Sequence, residues 1–415
     1  MNNISTKPLS GFMELLPAEQ RVFNHMMDTI KHVYEQSGFI PMDQPVMDRK
    51  EILLAKAGGE TEKQIYTLEK GDAELALRFD LTVPLARYVA NNYGDLVFPF
   101  RRYAIGKVYR GERAQAGRLR EFYQCDIDII GNETLAIGYD AEMPIMTARI
   151  FNELDENYSI GDVTIRINNR KLYDGLFDSL NLRDKREHIM QLIDKREKIS
   201  PEEFVKEMST FSLTQEQENT LNAFLSSSLE TIDTLGITNE QFQEGASELL
   251  EVMSICRHSG IDPARFVFDP TIARGLDYYT GTVFETKLDS YPEIGSVCSG
   301  GRYENLASSY TSRALPGVGT SIGLSRLFDQ LVKKEVITIS DTATHSQVVI
   351  LPLDDNNLPA LEIQQSLLMN DIACEINWST GKLDKRLSYT NKLSIPYAIL
   401  IGEDEVANKN FTLKN

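Results

Sequence analysis

The sequence predicts an α/β protein in which an α+β body is followed by a small domain of alternating strands and helices, and three observations carry that reading. The runs Ala104 to Tyr109 and Phe122 to Ile130 are rich in β-branched and aromatic residues; in the second, Cys125, Ile127 and Ile129 alternate with Gln124, Asp126 and Asp128, the period of a half-buried strand. Lys171 to Gly260 is highly charged and keeps helical spacing, as in Leu182, Ile189, Leu192 and Ile193, with almost no strand signal, so it reads as a helical insertion between sheet elements. From Val348 onward the apolar runs VVILPL, CEINW and YAILIG alternate with helical stretches, the pattern of a small, mostly parallel sheet covered on both faces. The expected domains are a body at 1–335, with the insertion at 171–260, and a separate unit at 345–415.

Within the body, Pro17 to Gln36 is amphipathic at helical spacing through Phe23, Met26, Met27, Ile30, Val33 and Tyr34, with Pro17 in the first turn and Gly38 as the stop. In the next stretch, GFIPMDQP, prolines 41 and 45 forbid a helix, leaving a connector or an edge strand that a partner subunit can cover. A hairpin turns at Lys70-Gly71-Asp72, a strand follows from Leu75 to Phe79, and DLTVP opens a helix with Pro84 in its first turn. Thr82 reads as that helix's cap, and Asp80 beside it is free to hold a substrate ammonium. A helix from Tyr139 to Glu153 and a strand from Val163 to Asn168 lead into the insertion.

A formal net charge of −18 argues against general nucleic-acid binding, because affinity for phosphate backbones scales with the cations presented; any such partner must be met at confined sites. The four cysteines form no CxxC pair and the five histidines lack metal spacing, so a metal site is not expected and the thiols are expected reduced and buried. The start carries no apolar signal core and no stretch reaches ~18 uninterrupted apolar residues, so no membrane association and a cytoplasmic location are expected.

Against this acidic background, Arg101, Arg102, Lys107, Arg110, Arg113, Arg118 and Arg120 crowd one loop-and-strand window that holds only Glu112 and Glu121 in return. A hairpin here would place Arg110, Gln124 and Asp128 on one polar face, with arginine's planar fork suited to phosphate, Asp128 to an ammonium or an imidazole N–H, and Phe122 to a purine face. The same window reads equally as a charged surface hairpin with internal pairs. Further on, glycines crowd DPTIARGLDYYTGTVFET, SVCSGGRYENL and LPGVGTSIGLSRLF, and Arg274, Tyr278, Tyr279, Arg302, Tyr303 and Arg326 accompany them; arginines and tyrosines beside permissive backbone suit a polyanion with a small planar polar ligand. In the tail, Trp378 with Lys382, Lys385, Arg386 and Lys392 offers a modest basic surface.

Taken together these stretches resemble the histidyl-tRNA synthetases, a class II aminoacyl-tRNA synthetase family. GFIPMDQP, GKVYRGERAQAGRLREFYQCDIDIIG and LPGVGTSIGLSRLF resemble the three class II signatures, and RGLDYYTGTVFE with CSGGRYENL resembles the two histidine-specific peptides. The resemblance implies a mainly antiparallel class II sheet flanked by helices, a homodimer through the first signature, and a C-terminal anticodon-binding-like domain. Because the tail stops at FTLKN, that last domain is expected to be truncated. It also implies ATP-dependent activation of L-histidine to histidyl-adenylate with Mg2+, then transfer to the terminal adenosine of tRNA(His). By position, Arg110 matches the α-phosphate arginine, Glu112 lies near the adenine and ATP end, Phe122 matches the ring stacked on adenine, and Arg326 the γ-phosphate arginine. Gln124 and Asp128 match groups that hold histidine, Asp80 and Thr82 its ammonium side, and Arg274 the arginine set against the α-phosphate and substrate carboxylate. Tyr278 and Tyr279 match residues lining the histidine pocket and Tyr303 one reaching the imidazole. Ser325 stands where many members have Glu, and Ser299 where Ala is commoner. A non-catalytic alternative is the synthetase-like regulatory subunit of ATP phosphoribosyltransferase, which loses parts of the histidine-specific peptides that are intact here.

Overall fold

The computed structural model describes residues 4–55, 59–113, 117–196, 199–272, 278–339, 342–354 and 358–415. The chain divides into two compact units, 1–13 with 27–337 and 14–26 with 338–415, so the helix Pro17–Gln36 contributes to both.

The strands of the first unit are β1 (Ile40–Pro41), β2 (Met47–Arg49), β3 (Thr67–Lys70), β4 (Ala73–Leu77), β5 (Phe100–Tyr109), β6 (Glu121–Ile130), β7 (Val163–Asn169), β8 (Phe266–Phe268), β9 (Thr282–Leu288), β10 (Cys298–Tyr303) and β11 (Gly317–Ile322). Eight of them form one sheet in the order β1-β5-β6-β11-β10-β9-β7-β8, parallel only at its two outermost pairings. The expected mainly antiparallel sheet is therefore present. GFIPMDQP supplies the edge strand β1, whose Ile40 is 51% exposed. β2, β4 and β3 form a separate small sheet whose hairpin turns at Gly71, where φ is +59° and only glycine is unstrained.

The long hairpin β5–β6 sets the geometry of everything that follows. Its register puts Arg102 opposite Asp128, Ala104 opposite Asp126 and Gly106 opposite Gln124, while β11 on the other side of β6 places Gly319 against Asp128 and Ser321 against Asp126. Side chains alternate along a strand, so Gln124, Asp126 and Asp128 share one face. Cys125, Ile127 and Ile129, wholly buried, share the other. Tyr34 reaches that second face from the helix Pro17–Gln36 and donates its hydroxyl to the Cys125 carbonyl at 3.0 Å.

Between β7 and β8 the described residues hold no strand and are organised by the helices Arg170–Ser179, Arg186–Lys195, Pro201–Ser209, Gln215–Leu225 and Glu240–Arg257, joined by turns. Local chemistry starts four of them: Asn169 accepts from Lys171, Ser200 caps the helix that Pro201 opens, Thr214 and Gln217 form a capping box, and Asn239 accepts from Gln241 and Phe242. Tyr173, Phe177, Phe224 and Phe242 pack ring against ring, so the insertion carries its own aromatic core.

In the second unit, β12 (Val348–Pro352) pairs in parallel with β13 (Cys374–Ile376) and β14 (Tyr397–Ile401), and β15 (Thr412–Lys414) closes the sheet antiparallel to β14. Val348, Ile350, Ile399 and Ile401 pack on Ala360, Ile363 and Leu367 of the helix Leu358–Leu368. Val349, Leu351, Ala398 and Leu400 pack on Leu383 and Leu387 of the helix Leu383–Lys392. Continuous apolar strands thus mean two covered faces, as the sequence pattern required. One member of the expected basic surface is elsewhere: Arg386 is buried, donating to the carbonyls of Pro352 and Asn377, so its charge braces the unit. Trp378 is 51% exposed.

Candidate active site

The polar face of β6 forms the floor of a cleft of about 440 Å3, lined among others by Asp80, Thr82, Arg110, Glu112, Phe122, Gln124, Asp128, Tyr278, Tyr279, Tyr303 and Arg326. Every described residue that the family resemblance assigns to the site thus lines one cleft. Arg274 lies outside the described residues.

One end of the cleft is built from carboxylates and tyrosines. Tyr303 ends β10 and donates its hydroxyl to Asp128 Oδ1 at 2.8 Å; Arg102 on β5 approaches Asp128 Oδ2 at 2.6 Å. Asp128 is therefore held on both oxygens. Burial pushes its carboxyl up to about 6, against the pull of Arg102 and Tyr303. Tyr278 meets Tyr279 edge-on at 5.0 Å and Tyr303 edge-on at 6.0 Å, which fixes the pocket wall without stacking. Two glycines make room: a Cβ at Gly319 would lie 2.2 Å from Asp128 Oδ1, and one at Gly301 2.9 Å from the Tyr279 ring.

Asp80 sits at the junction leading from β4 into the helix Thr82–Asn91. Its Oδ1 accepts the backbone N–H groups of Thr82, at 3.1 Å, and Val83, at 2.9 Å. The cap expected of Thr82 is supplied by Asp80, because a carboxylate two residues upstream reaches two of the orphan donors of the first turn. The Thr82 side chain is left to line the cleft with Tyr278. Burial raises the Asp80 carboxyl, while the Val83 N–H and Arg110 pull it down.

The other end of the cleft is cationic. Arg110, just past β5, lies with its guanidinium 4.3 Å from the Phe79 ring centre and 5.1 Å from that of Phe122, and its Nε donates to the Phe79 carbonyl at 3.3 Å. The two rings hold the fork in place. Phe122, expected to offer a face to a purine, thus already carries Arg110 over its ring. Arg326, in the first turn of the helix Leu324–Lys333, is anchored to the Ile294 carbonyl. Burial lowers the proton affinity of both arginines; Arg118 lowers that of Arg326 further, a sign of cations crowded together. Glu112 pairs with Arg118 at 3.3 Å.

Arg302 does not join this group. It precedes Tyr303 on β10 and so points to the opposite face, where it is locked to Asp140 of the helix Gly138–Tyr158 and to the carbonyls of Leu135 and Ala136. The sequence places Arg102 in the basic window and Asp126 in the alternating strand, without marking either as a residue of the site. The alternation of β6 implied that Asp126 shares the face of Gln124 and Asp128, whereas Arg102 required the strand register. Ser325 proves to be a brace: its Oγ accepts the Tyr123 N–H at 2.9 Å.

A profile described as histidyl-tRNA synthetase matches residues 11–327, and one described as an anticodon binding domain matches 347–415. A histidine–tRNA ligase of Clostridium tetani is 50% identical over 413 residues, covering 98% of this chain and 93% of that protein. The crystal structure of histidyl-tRNA synthetase from Nostoc sp. PCC 7120 superposes with a TM-score of 0.88 at 38% identity, over 100% of this chain and 95% of that one. A Bacillus halodurans structure described as an ATP phosphoribosyltransferase regulatory subunit/histidyl-tRNA synthetase shares the fold, with a TM-score of 0.79 at 20% identity over 94% of this chain and 97% of that one. With the matched profile running through both the hairpin that floors the cleft and the glycine-rich strands that wall it, the chain belongs to the histidyl-tRNA synthetase family.

Proposed function

We propose that the chain is a histidine–tRNA ligase that forms histidyl-adenylate in this cleft and transfers the histidyl group to tRNA. The observation that carries the reading is the joining, in one cleft, of two anchored arginines with a buried Asp128–Tyr303 pair. In the first step an oxygen of the histidine carboxylate bonds to the α-phosphorus of ATP and pyrophosphate leaves. Charge gathers on phosphate oxygens, which Arg110 stabilises at the α-phosphate and Arg326 at the γ-phosphate without any proton transfer. Arg274 joins them in this proposal, against the α-phosphate and the substrate carboxylate. In the second step the ribose hydroxyl of the terminal adenosine attacks the acyl carbon and AMP leaves.

Histidine lies at the tyrosine end, with an imidazole N–H donated to Asp128, Tyr303 beside the ring, Tyr278 and Tyr279 as walls, and the ammonium near Asp80, Thr82 and Gln124. An apolar amino acid of similar size would leave these buried polar groups unpaired, a basis for strong rejection. Phe122 stacks on adenine and Glu112 lies at the nucleotide end. Among the described residues no group of three or more His, Cys, Asp or Glu side chains is placed to hold a metal ion. Mg2+ is proposed as a part of the nucleotide substrate, carried on its phosphates.

The second unit, matched by the anticodon-binding profile, is the proposed contact to the body of tRNA(His), with Trp378, Lys382 and Lys385 each exposed. The exposed edge β1 is the proposed seam of a homodimer, and the protein is proposed to work in the cytoplasm; no described helix is long and apolar enough to cross a membrane. Histidine-dependent ATP–pyrophosphate exchange tests the reading. Exchange with histidine and with no other amino acid is expected; its absence in the folded full chain would favour a non-catalytic histidine-binding role.

A further inference from the structure

Two acceptor oxygens at the amino-acid end of the cleft have no donor among the described residues: Gln124 Oε1 and Asp126 Oδ1. Both side chains line the cleft from the same face of β6. Gln124 donates its amide N–H to Ser321 Oγ at 2.9 Å, so its nitrogen is engaged while its oxygen is left facing the cleft. Ser321 stands opposite Asp126 in the β6–β11 register. Asp126 is 2% exposed, and leaving a buried acceptor without a donor is costly.

The neighbouring carboxylates differ. Asp128 is held on both oxygens by Tyr303 and Arg102, and Asp80 Oδ1 takes two backbone N–H groups. What this end of the cleft lacks is a donor-only group in front of β6, and an amino acid brings one in its α-ammonium, with three N–H bonds and no lone pair. The charge balance agrees: Asp80, Asp126 and Asp128 act on one another, with Arg102 and Arg110 the arginines set against them. Opposite Asp126, β5 offers only Ala104 and β11 only Ser321.

We propose that Asp126 is a substrate-binding residue of the amino-acid pocket, taking one N–H of the α-ammonium on Oδ1 beside Gln124 Oε1, and that it sets affinity for the free amino acid. This rests on the reading of the cleft as a histidine-activating site. The test is calorimetric titration of the full chain, as wild type and as Asp126→Asn, with L-histidine and with 3-(imidazol-4-yl)propionate, the same molecule without its ammonium. Asp126→Asn should weaken L-histidine about 10- to 100-fold and the propionate by no more than about twofold. Asp126→Ser, which also removes the charge, should give the same contrast if Asp126→Asn fails to fold. Equal losses for the two ligands, or none for histidine, overturn the inference and leave the parent reading standing. A wild-type chain that binds no L-histidine overturns both.

Discussion

Arg102 and Asp128 meet across the paired strands β5 and β6 at 2.6 Å, with 0% and 3% of their side chains exposed. The guanidinium has no route to water, and its Nε and Nη1 find no partner among the described residues. Its charge is balanced by the carboxylate proposed to read imidazole. Arg102→Met should therefore cost about 3 kcal/mol or more in chemical denaturation, since it strands a buried carboxylate, and adding Asp128→Asn should recover part of that loss. Additive losses in the double variant would show that the two residues do not act as a pair.

The two cleft arginines should separate kinetically. Arg110→Ala is expected to lower the exchange rate at saturating substrates about 100-fold or more, with histidine affinity nearly unchanged, because its proposed partner is charge that grows in the transition state. Arg326→Ala is expected to raise the KM for ATP more than it lowers kcat. Steady-state exchange with each substrate varied in turn decides the matter, and matching effects of both variants on histidine KM would refute the assignment.

Burial holds the Asp126 carboxyl up to about 7 and that of Asp128 up to about 6, against an ordinary value of 3.8. A carboxyl raised by folding favours the native state only while protonated. Its contribution is complete below pH 3.8 and is lost as pH rises through about 7 for Asp126. In the ligand-free protein, Asp126→Asn should thus raise stability at pH 8 by on the order of a few kcal/mol and flatten the pH dependence between roughly pH 4 and 7. Thermal unfolding at a series of pH values measures both. A variant less stable than wild type at pH 8 would contradict the claim that the charge is held at a cost.

Tyr303→Phe removes one hydroxyl that donates to Asp128 at 2.8 Å. Histidine should bind about tenfold more weakly, with ATP affinity unaltered. Equal losses for the two ligands, measured by titration, would count against its placement beside the imidazole.

Much of this site was legible in the chain because it depends on local period. Alternation in β6 announced Gln124 and Asp128 on one face, and the glycines of β10 and β11 announced close approach, which Gly319 and Gly301 now explain. Where reasoning by residue type failed, geometry of longer range had decided. Its company of glycines and tyrosines groups Arg302 with the cleft, yet one step along β10 turns it to Asp140. Residue type puts Arg386 on a basic surface, whereas it is buried on carbonyls contributed by two separate segments. Arg102 became visible only through the register of β5 on β6, which no single stretch encodes. Asp80 capping the helix in place of Thr82 was a local relation, but two capping arrangements suited the same five residues.

The central claim is that nucleotide phosphate and imidazole occupy opposite ends of the one cleft. The most direct measurement is a structure with a non-hydrolysable histidyl-adenylate analogue bound. An imidazole nitrogen within hydrogen-bond distance of Asp128, with the phosphate surrogate against Arg110, is the expected result. An analogue bound with its ring at the arginine end, or outside the cleft altogether, would contradict it.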